Sequence, residues 1–281
     1  MGPVRKIRYS LKLDIEWLKL RAIPFRKRIG YVAKKYVRLL KGGDAIPFLS
    51  RGRFLYDNRN TPATLQSYPA EIEFLNKWVD FKAERSVLDV GANIGQFSVT
   101  LASLFPKTKL WCFEPNPNAF RLLEQNTADV RVKRFNYGVG VPGRFPFFFV
   151  PGASAKGSFV ASNAAINLGD VQTSEIQVEA VSLDTETVSR LGIPDYFDLI
   201  KIDVECFEYD VLKALSGVRA KYIYIEFSMG RSHSYSFPDL VARLQEMFGP
   251  VEILYCDAID ALDRNRTIGN ILAMSTAAQR P

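Results

Sequence analysis

The 281-residue chain offers little for metal or disulfide chemistry: it has three cysteines and one histidine. Cys112, Cys206 and Cys256 are an odd, dispersed set without metal-ligand spacing, and only His233 is there to join them, so neither a metal site nor a disulfide framework is expected. No apolar run approaches the ~18 residues that cross a bilayer. The basic N-terminal stretch lacks the apolar segment of a secretory signal, which makes the cytoplasm the expected compartment. Acids are scarce in the first 42 residues, where thirteen Lys and Arg face only Asp14 and Glu16. That leader carries +11, so the remaining 239 residues hold −4 of the overall +7. Basicity therefore belongs to the leader and not to the body.

What is present is globular composition, 47% hydrophobic and 24% charged, at a length that suits one large α/β domain with an extension. Tyr9 to Trp17 alternates as a strand would but runs on into Leu18 and Leu20, and its structure stays open. From Ile29 the period is helical: Ile29, Val32, Ala33, Tyr36, Val37 and Leu40 share one face, Lys34, Lys35, Arg38 and Lys41 another, and Gly42-Gly43 stops the helix. A basic amphipathic helix of this kind fits attachment to an anionic membrane surface through residues 1–42, each base contributing ~1 kcal/mol. It fits equally a helix whose apolar face packs on the main domain while its charges stay in water. Nucleic acid is not expected, since no aromatic stacking pattern accompanies the charges. Residues 43 to 63 read as a connector, giving a basic extension over 1–63 and a main domain over 64–281. If the leader attaches to a membrane, the chain sits peripherally on its inner face.

Ser67 to Phe81 predicts a helix with Ile72, Leu75, Val79 and Trp78 inward. Val87-Leu-Asp-Val-Gly-Ala-Asn-Ile-Gly-Gln-Phe-Ser98 then reads as strand, tight turn and helix. A strand that ends at a glycine-opened helix N-terminus lets a ligand approach backbone, as nucleotide pockets require. Leu110 to Phe113 is a second strand closed by Glu114, 23 residues past Gly91, where a mononucleotide-binding fold places the carboxylate for its ligand's ribose. Val130 to Phe135 is a third strand, and Asn136-Tyr-Gly-Val-Gly follows at the edge facing the ligand's base.

From Arg144 to Ser182 the alternation of strands and helices breaks. Phe145, Phe147 and Phe149 alternate, Glu175 to Val181 alternates again, and a Gly, Ser, Ala and Asn-rich span separates them, so an inserted β-hairpin or pair of added strands is expected. Asp198-Leu-Ile-Lys-Ile-Asp203 has the composition of a buried strand and is followed by Val204-Glu205-Cys206 and a helix. Tyr222 to Phe227 is another strand, ahead of the loop that carries His233. Phe237 to Phe248 is helical, and Val251 to Tyr255 and Ile268 to Met274 would be the last strands.

Val-Leu-Asp-Val-Gly-Ala-Asn-Ile-Gly together with Leu-Ile-Lys-Ile-Asp-Val-Glu, joined by Val181-Ser-Leu-Asp184 and the Ile-Glu strand at Glu226, resembles the FkbM family of S-adenosylmethionine-dependent methyltransferases. The resemblance covers roughly Tyr68 to Phe248, with Cys206 where the family usually has glycine. It implies a Rossmann-like α/β fold of class I methyltransferase type: a doubly wound seven-stranded sheet, last strand antiparallel, with the β-hairpin insertion and the N-terminal helical extension. It implies S-adenosylmethionine as cofactor, with Asp89, Gly91, Asn93, Gly95, Glu114 and Asn136 as candidate binding residues. The implied acceptor is a hydroxyl on a sugar, glycolipid or polyketide-like natural product, and the basic leader would suit a lipid-linked glycan. A hydroxyl must lose its proton as the new bond forms, and Asp203, Glu205 and His233 are the candidate catalytic groups. A membrane-associated scaffold without turnover is the alternative. An NAD-dependent oxidoreductase stands further back, because Gly91 to Gly95 does not supply Gly-x-Gly-x-x-Gly.

Overall fold

A computed structural model describes residues 3–20, 23–49, 52–58, 61–128, 130–151, 153–159, 173–230, 235–260 and 266–277. His233 and the span from 160 to 172 lie outside the described residues. Helices α1 (Pro3–Lys19) and α2 (Phe25–Lys41) open the chain as an antiparallel hairpin. Tyr9 to Trp17 is helical, which puts Asp14 and Trp17, three residues apart, on one buried side. The connector holds more structure than its composition suggests: β1 (Ala45–Pro47) pairs antiparallel with β2 (Arg53–Leu55), and α3 (Thr61–Thr64) follows. Trp17, Tyr31, Phe48 and Phe54 pack there in an aromatic cluster that also takes in Ile94, Val99 and Ala119 of the domain behind.

The buried face of α2 is not the one that its apolar residues mark. Tyr31 and Lys35 are buried, whereas Ile29, Ala33, Tyr36, Val37 and Leu40 are exposed. The expectation of an apolar face packed on the domain with all charges solvated is thereby overturned. Lys35 Nζ lies 2.5 Å from Asp14 Oδ1 and also donates to Gln66 Oε1 and Ser10 Oγ, so the buried ammonium is paired and hydrogen-bonded. Burial lowers its pKa and the Asp14 carboxylate opposes that.

Helix α4 (Tyr68–Val79) buries Ile72, Leu75 and Val79 but turns Trp78 outward, 40% exposed and against its expected inward place. The sheet then assembles from β3 (Ser86–Val90), α5 (Gln96–Leu104), β4 (Lys109–Phe113), α6 (Pro117–Asn126) and β5 (Val132–Phe135). An inserted sheet follows, made of β6 (Gly138–Val139), β7 (Gly143–Val150), β8 (Ala153–Ser158) and β9 (Ser174–Val181) in the order β6-β9-β7-β8. Its β7–β8 and β7–β9 pairs are antiparallel, as the alternation from Arg144 predicts. The main alternation resumes with α7 (Thr185–Leu191), β10 (Tyr196–Asp203), α8 (Glu208–Lys213), β11 (Arg219–Gly230), α9 (Phe237–Phe248), β12 (Val251–Asp260) and β13 (Arg266–Ser275).

The main sheet runs β12-β13-β11-β10-β3-β4-β5, with β13 antiparallel to both neighbours and the pairs from β11 to β5 parallel. This is the Rossmann-like, doubly wound seven-stranded sheet of class I methyltransferases. Alternate residues feed the two faces: Leu88, Ile200 and Ile223 join the cluster under α8 and α9, while Val87, Leu199 and Tyr222 join that under α4 and α5. Helices on both faces are why β10 is buried along nearly its whole length and reads as an apolar run.

Candidate active site

Strand order reverses between β3 and β10, and the crevice at the C-terminal ends of such strands is where doubly wound sheets take ligands. A cavity with about 980 Å³ of empty space, open solvent at its mouth included, opens there. Gly91, Asn93 and Glu114 line one side, and Asp203, Glu205 and Glu226 the other.

The first wall is made of backbone. The N–H groups of Gly91 and Ala92 both donate to the Phe113 carbonyl, at 3.0 and 2.9 Å, which clamps the turn to β4. Gly91 has φ +83°, and an ideal Cβ on it would lie 2.0 Å from the Asp203 carbonyl oxygen. The glycine is required by β10 passing over the turn, in addition to any ligand. Asn93 takes φ +52° and satisfies the strained turn by accepting from Ile94 N–H at 2.7 Å. Its own N–H donates to Glu114 Oε2 at 2.8 Å, while Asn116 N–H donates to Glu114 Oε1 at 2.9 Å. Burial pushes the Glu114 carboxyl up to about 7 against those two donors.

Asp89, Gly95 and Asn136 stand behind this wall and do not line the cavity. Asp89 is fully buried; its Oδ2 accepts from Ser98 Oγ at 2.6 Å and its Oδ1 faces Lys201 Nζ at 3.6 Å. Gly95, at φ +89°, caps α5. Asn136 Nδ2 donates to the carbonyls of Glu114 and Pro115, holding the loop that carries the acid.

The opposite wall gathers charge. Lys201 Nζ lies 3.0 Å from Asp203 Oδ2 and 5.3 Å from the Phe97 ring centroid, with its side chain 3% exposed. Burial works to lower its pKa, but Asp203, Asp89 and Glu71 together raise it well above the ordinary value, so the ammonium stays charged. Glu226 occupies the register position opposite Asp203 on β11. The Asp203 charge pushes the Glu226 carboxyl, exposed to the crevice, above the usual range. Neither Lys201 nor Glu226 is among the residues that the sequence singles out for a role. A lysine inside the apolar run Leu199 to Ile202 is a readable sign of a buried charge needing partners; Glu226 is marked only as part of the Ile-Glu strand that carries the family resemblance, without a role.

Glu205 lines the cavity with φ +51°, and Cys206 follows at φ +81°, two consecutive left-handed residues. Glu208 Oε1 accepts from Cys206 N–H at 2.7 Å and holds this turn to the start of α8. Ser158 Oγ donates to the Glu205 carbonyl at 2.9 Å and ties the inserted sheet to this turn. Phe159 lies between Phe147, edge to face at 5.1 Å, and Phe207, tilted at 5.0 Å, an aromatic wall on the insertion's side. Where His233 stands relative to this crevice is not described. Among the described residues no group of three or more His, Cys, Asp or Glu could hold a metal ion.

These features fit S-adenosylmethionine. The glycine turn presents backbone, Glu114 retains unused lone pairs for a ribose diol after its two backbone bonds, and Phe113, Tyr137 and Val139 give an apolar slot beside it. A protein-family model described as "Methyltransferase FkbM domain" matches residues 89–248. The methyltransferase sdnD of Sordaria araneosa is 30% identical over 155 residues, 46% of this chain and 60% of that protein's length. The 2-O-methyltransferase NoeI of Sinorhizobium fredii is 28% identical over 204 residues, 68% of this chain and 81% of that protein. Among solved structures, Aeropyrum pernix fibrillarin in complex with S-adenosyl-L-methionine is similar at a TM-score of 0.43 and 14% identity, over 69% of this chain and 68% of that one. The chain belongs to the FkbM methyltransferase family, and its methyl donor is S-adenosyl-L-methionine.

Proposed function

We propose that the chain methylates a hydroxyl oxygen on a sugar, glycolipid or polyketide-like natural product, with Glu226 as the proton acceptor. The single observation that carries this reading is the facing of Glu226 and Asp203 across adjacent parallel strands at the donor crevice. S-adenosyl-L-methionine supplies an electrophilic methyl on a sulfonium. Forming the new carbon–oxygen bond releases the hydroxyl proton, and a carboxylate made more basic by the neighbouring Asp203 charge is suited to take it. Lys201 balances Asp203, which keeps one charge of the acid pair compensated while the other carries the proton. The ring wall of Phe147, Phe159 and Phe207 gives an acceptor an apolar surface to lie on. The hydroxyl class is supported by the printed name of NoeI, a 2-O-methyltransferase.

A labelled-donor assay on fractionated polysaccharide, lipid and metabolite extracts tests the acceptor class: label should appear as an alkali-stable methyl ether. Label confined to protein nitrogen or to carbon would sink it. With the acceptor in hand, Glu226→Gln should lower turnover by about 10²-fold or more while donor binding, read by calorimetry, stays within a few-fold. Full turnover in that variant would remove Glu226 as the base and return the role to Asp203, Glu205 or His233.

A further inference from the structure

We propose that the outer face of the α1–α2 hairpin docks on an anionic lipid bilayer. The proposal stands apart from the acceptor reading, because it rests on side chains outside the crevice. On α2, counting about 100° per residue, three groups follow one another round the helix, the apolar one roughly 130° past the buried one and the basic one filling the outer arc that returns to the body. Tyr31 and Lys35 face the body, then come Phe25, Ile29, Tyr36 and Leu40, then Lys27, Lys34, Arg38 and Lys41. On α1 the buried Asp14 and Trp17 are followed in the same sense by the exposed Leu11 and Ile15, then by Lys12 and Lys19.

The helices meet where Tyr36 donates to Asp14 Oδ2 and Trp17 Nε1 donates to the Arg28 carbonyl, an antiparallel contact. On each helix the apolar stripe is reached from the buried face by rotating past that contact. In an antiparallel pair the same rotation carries both stripes to one side, the side away from the body. Phe25 is 58% exposed, Ile15 55% and Leu40 87%, an apolar strip contributed by both helices with the bases along its outer edges.

The charge around the strip selects the occupant. The leader's thirteen bases are opposed by Asp14, which is buried and paired with Lys35, and by Glu16, which pairs with Lys19. A second copy of the chain packed face to face would bring two such rims together. A nucleic acid would use the bases and leave the apolar strip in water. An anionic bilayer accepts both parts: acyl chains take the strip and headgroups take the bases. Ile94, inside the donor turn, packs in the same cluster as Trp17 and Tyr31, so docking holds that turn one layer from the lipid surface.

The test is sedimentation of the full chain with vesicles of phosphatidylcholine alone and of phosphatidylcholine mixed with phosphatidylglycerol, over a salt series. The expected result is binding to the mixed vesicles only, weakening as salt rises. Ile29→Asp with Leu40→Asp, and separately Lys34→Glu with Lys41→Glu, should each lose at least tenfold in vesicle affinity while S-adenosylmethionine binding and melting temperature hold. Absence of binding to mixed vesicles overturns the proposal, as does binding that the Ile29→Asp, Leu40→Asp variant retains. A dimer by light scattering that this variant dissociates, without vesicle binding, assigns the strip to a second copy instead.

Discussion

The carbonyl oxygen of Asp203 occupies the place where a side chain on Gly91 would begin, 2.0 Å from the ideal Cβ position. Two motifs more than a hundred residues apart thus share one contact, and the donor turn and the acid-bearing strand end cannot move independently. Gly91→Ala should displace the end of β10 and also hold alanine at φ +83°, the overpacking and the backbone strain each costing about 1–3 kcal/mol. Gly95→Ala meets side-chain methyls and no backbone, Leu123 Cδ1 at 3.0 Å, Thr127 Cγ2 at 3.4 Å and Val99 Cγ2 at 3.7 Å, and should be milder although its φ is also positive. Denaturant melts of the two variants check the order; equal losses would mean that the Asp203 contact is not what demands glycine at 91.

Cys206 carries a side chain at φ +81°, where glycine is the unstrained choice. Replacing it by alanine keeps the strain and replacing it by glycine releases it. The expected result is that Cys206→Gly is more stable than Cys206→Ala by about 1 kcal/mol, the reverse of the order at an ordinary site. Melting temperatures of the two proteins decide it.

Glu114 and Glu208 are both held at about 7 by burial. Their pKa values are raised on folding, so between the unfolded value near 4.5 and about 7 the folded chain holds more protons than the unfolded one. Stability of the ligand-free protein should therefore fall as pH rises through that window, and recover none of the loss above it. Glu208→Gln, whose amide oxygen can still accept from Cys206 N–H while its NH2 donates to the Tyr235 hydroxyl oxygen, should flatten the fall. Donor affinity should move the opposite way, strengthening as Glu114 ionises, because charge-assisted bonds to a ribose diol exceed neutral ones. Calorimetric titration with S-adenosylmethionine from pH 6 to pH 8 reads this directly, and Glu114→Gln should be weaker and flat.

Lys35 and Asp14 hold the hairpin together from inside. Asp14→Ala leaves a buried ammonium with Gln66 and Ser10 for partners, at a cost of about 3–5 kcal/mol. That loss falls on the hairpin and its cluster, so limited proteolysis should cut the leader early while S-adenosylmethionine still protects residues from α4 onward. Resistance equal to that of the unaltered protein would show that the pair contributes little.

The sheet was readable because its strands are buried on both faces: Leu110 to Phe113 and Asp198 to Asp203 leave little but a buried parallel strand to be, and the glycine turn and Glu114 follow at the spacing of a nucleotide fold. The inserted strands were readable for the opposite reason: Phe145, Phe147 and Phe149 alternate as one side of a half-covered sheet. The leader was harder. Its apolar period predicts a helix, yet periodicity says which residues share a face and not what that face meets. In α2 the packed face was chosen by Tyr31 and by the pairing of Lys35 with Asp14, 21 residues away.

By itself, then, the sequence determines the fold class, the donor turn and the acid that answers it, because each is set by local periodicity and by residue types with few alternatives. Only the tertiary structure brings Lys201, Asp203 and Glu226 to one crevice and turns the leader's apolar stripe outward. The parallel register of β10 and β11 sets the first, and the burial of a single lysine sets the second. Both depend on which distant segments meet, and the Gly91 turn from which the fold is legible is itself fixed by the carbonyl of Asp203.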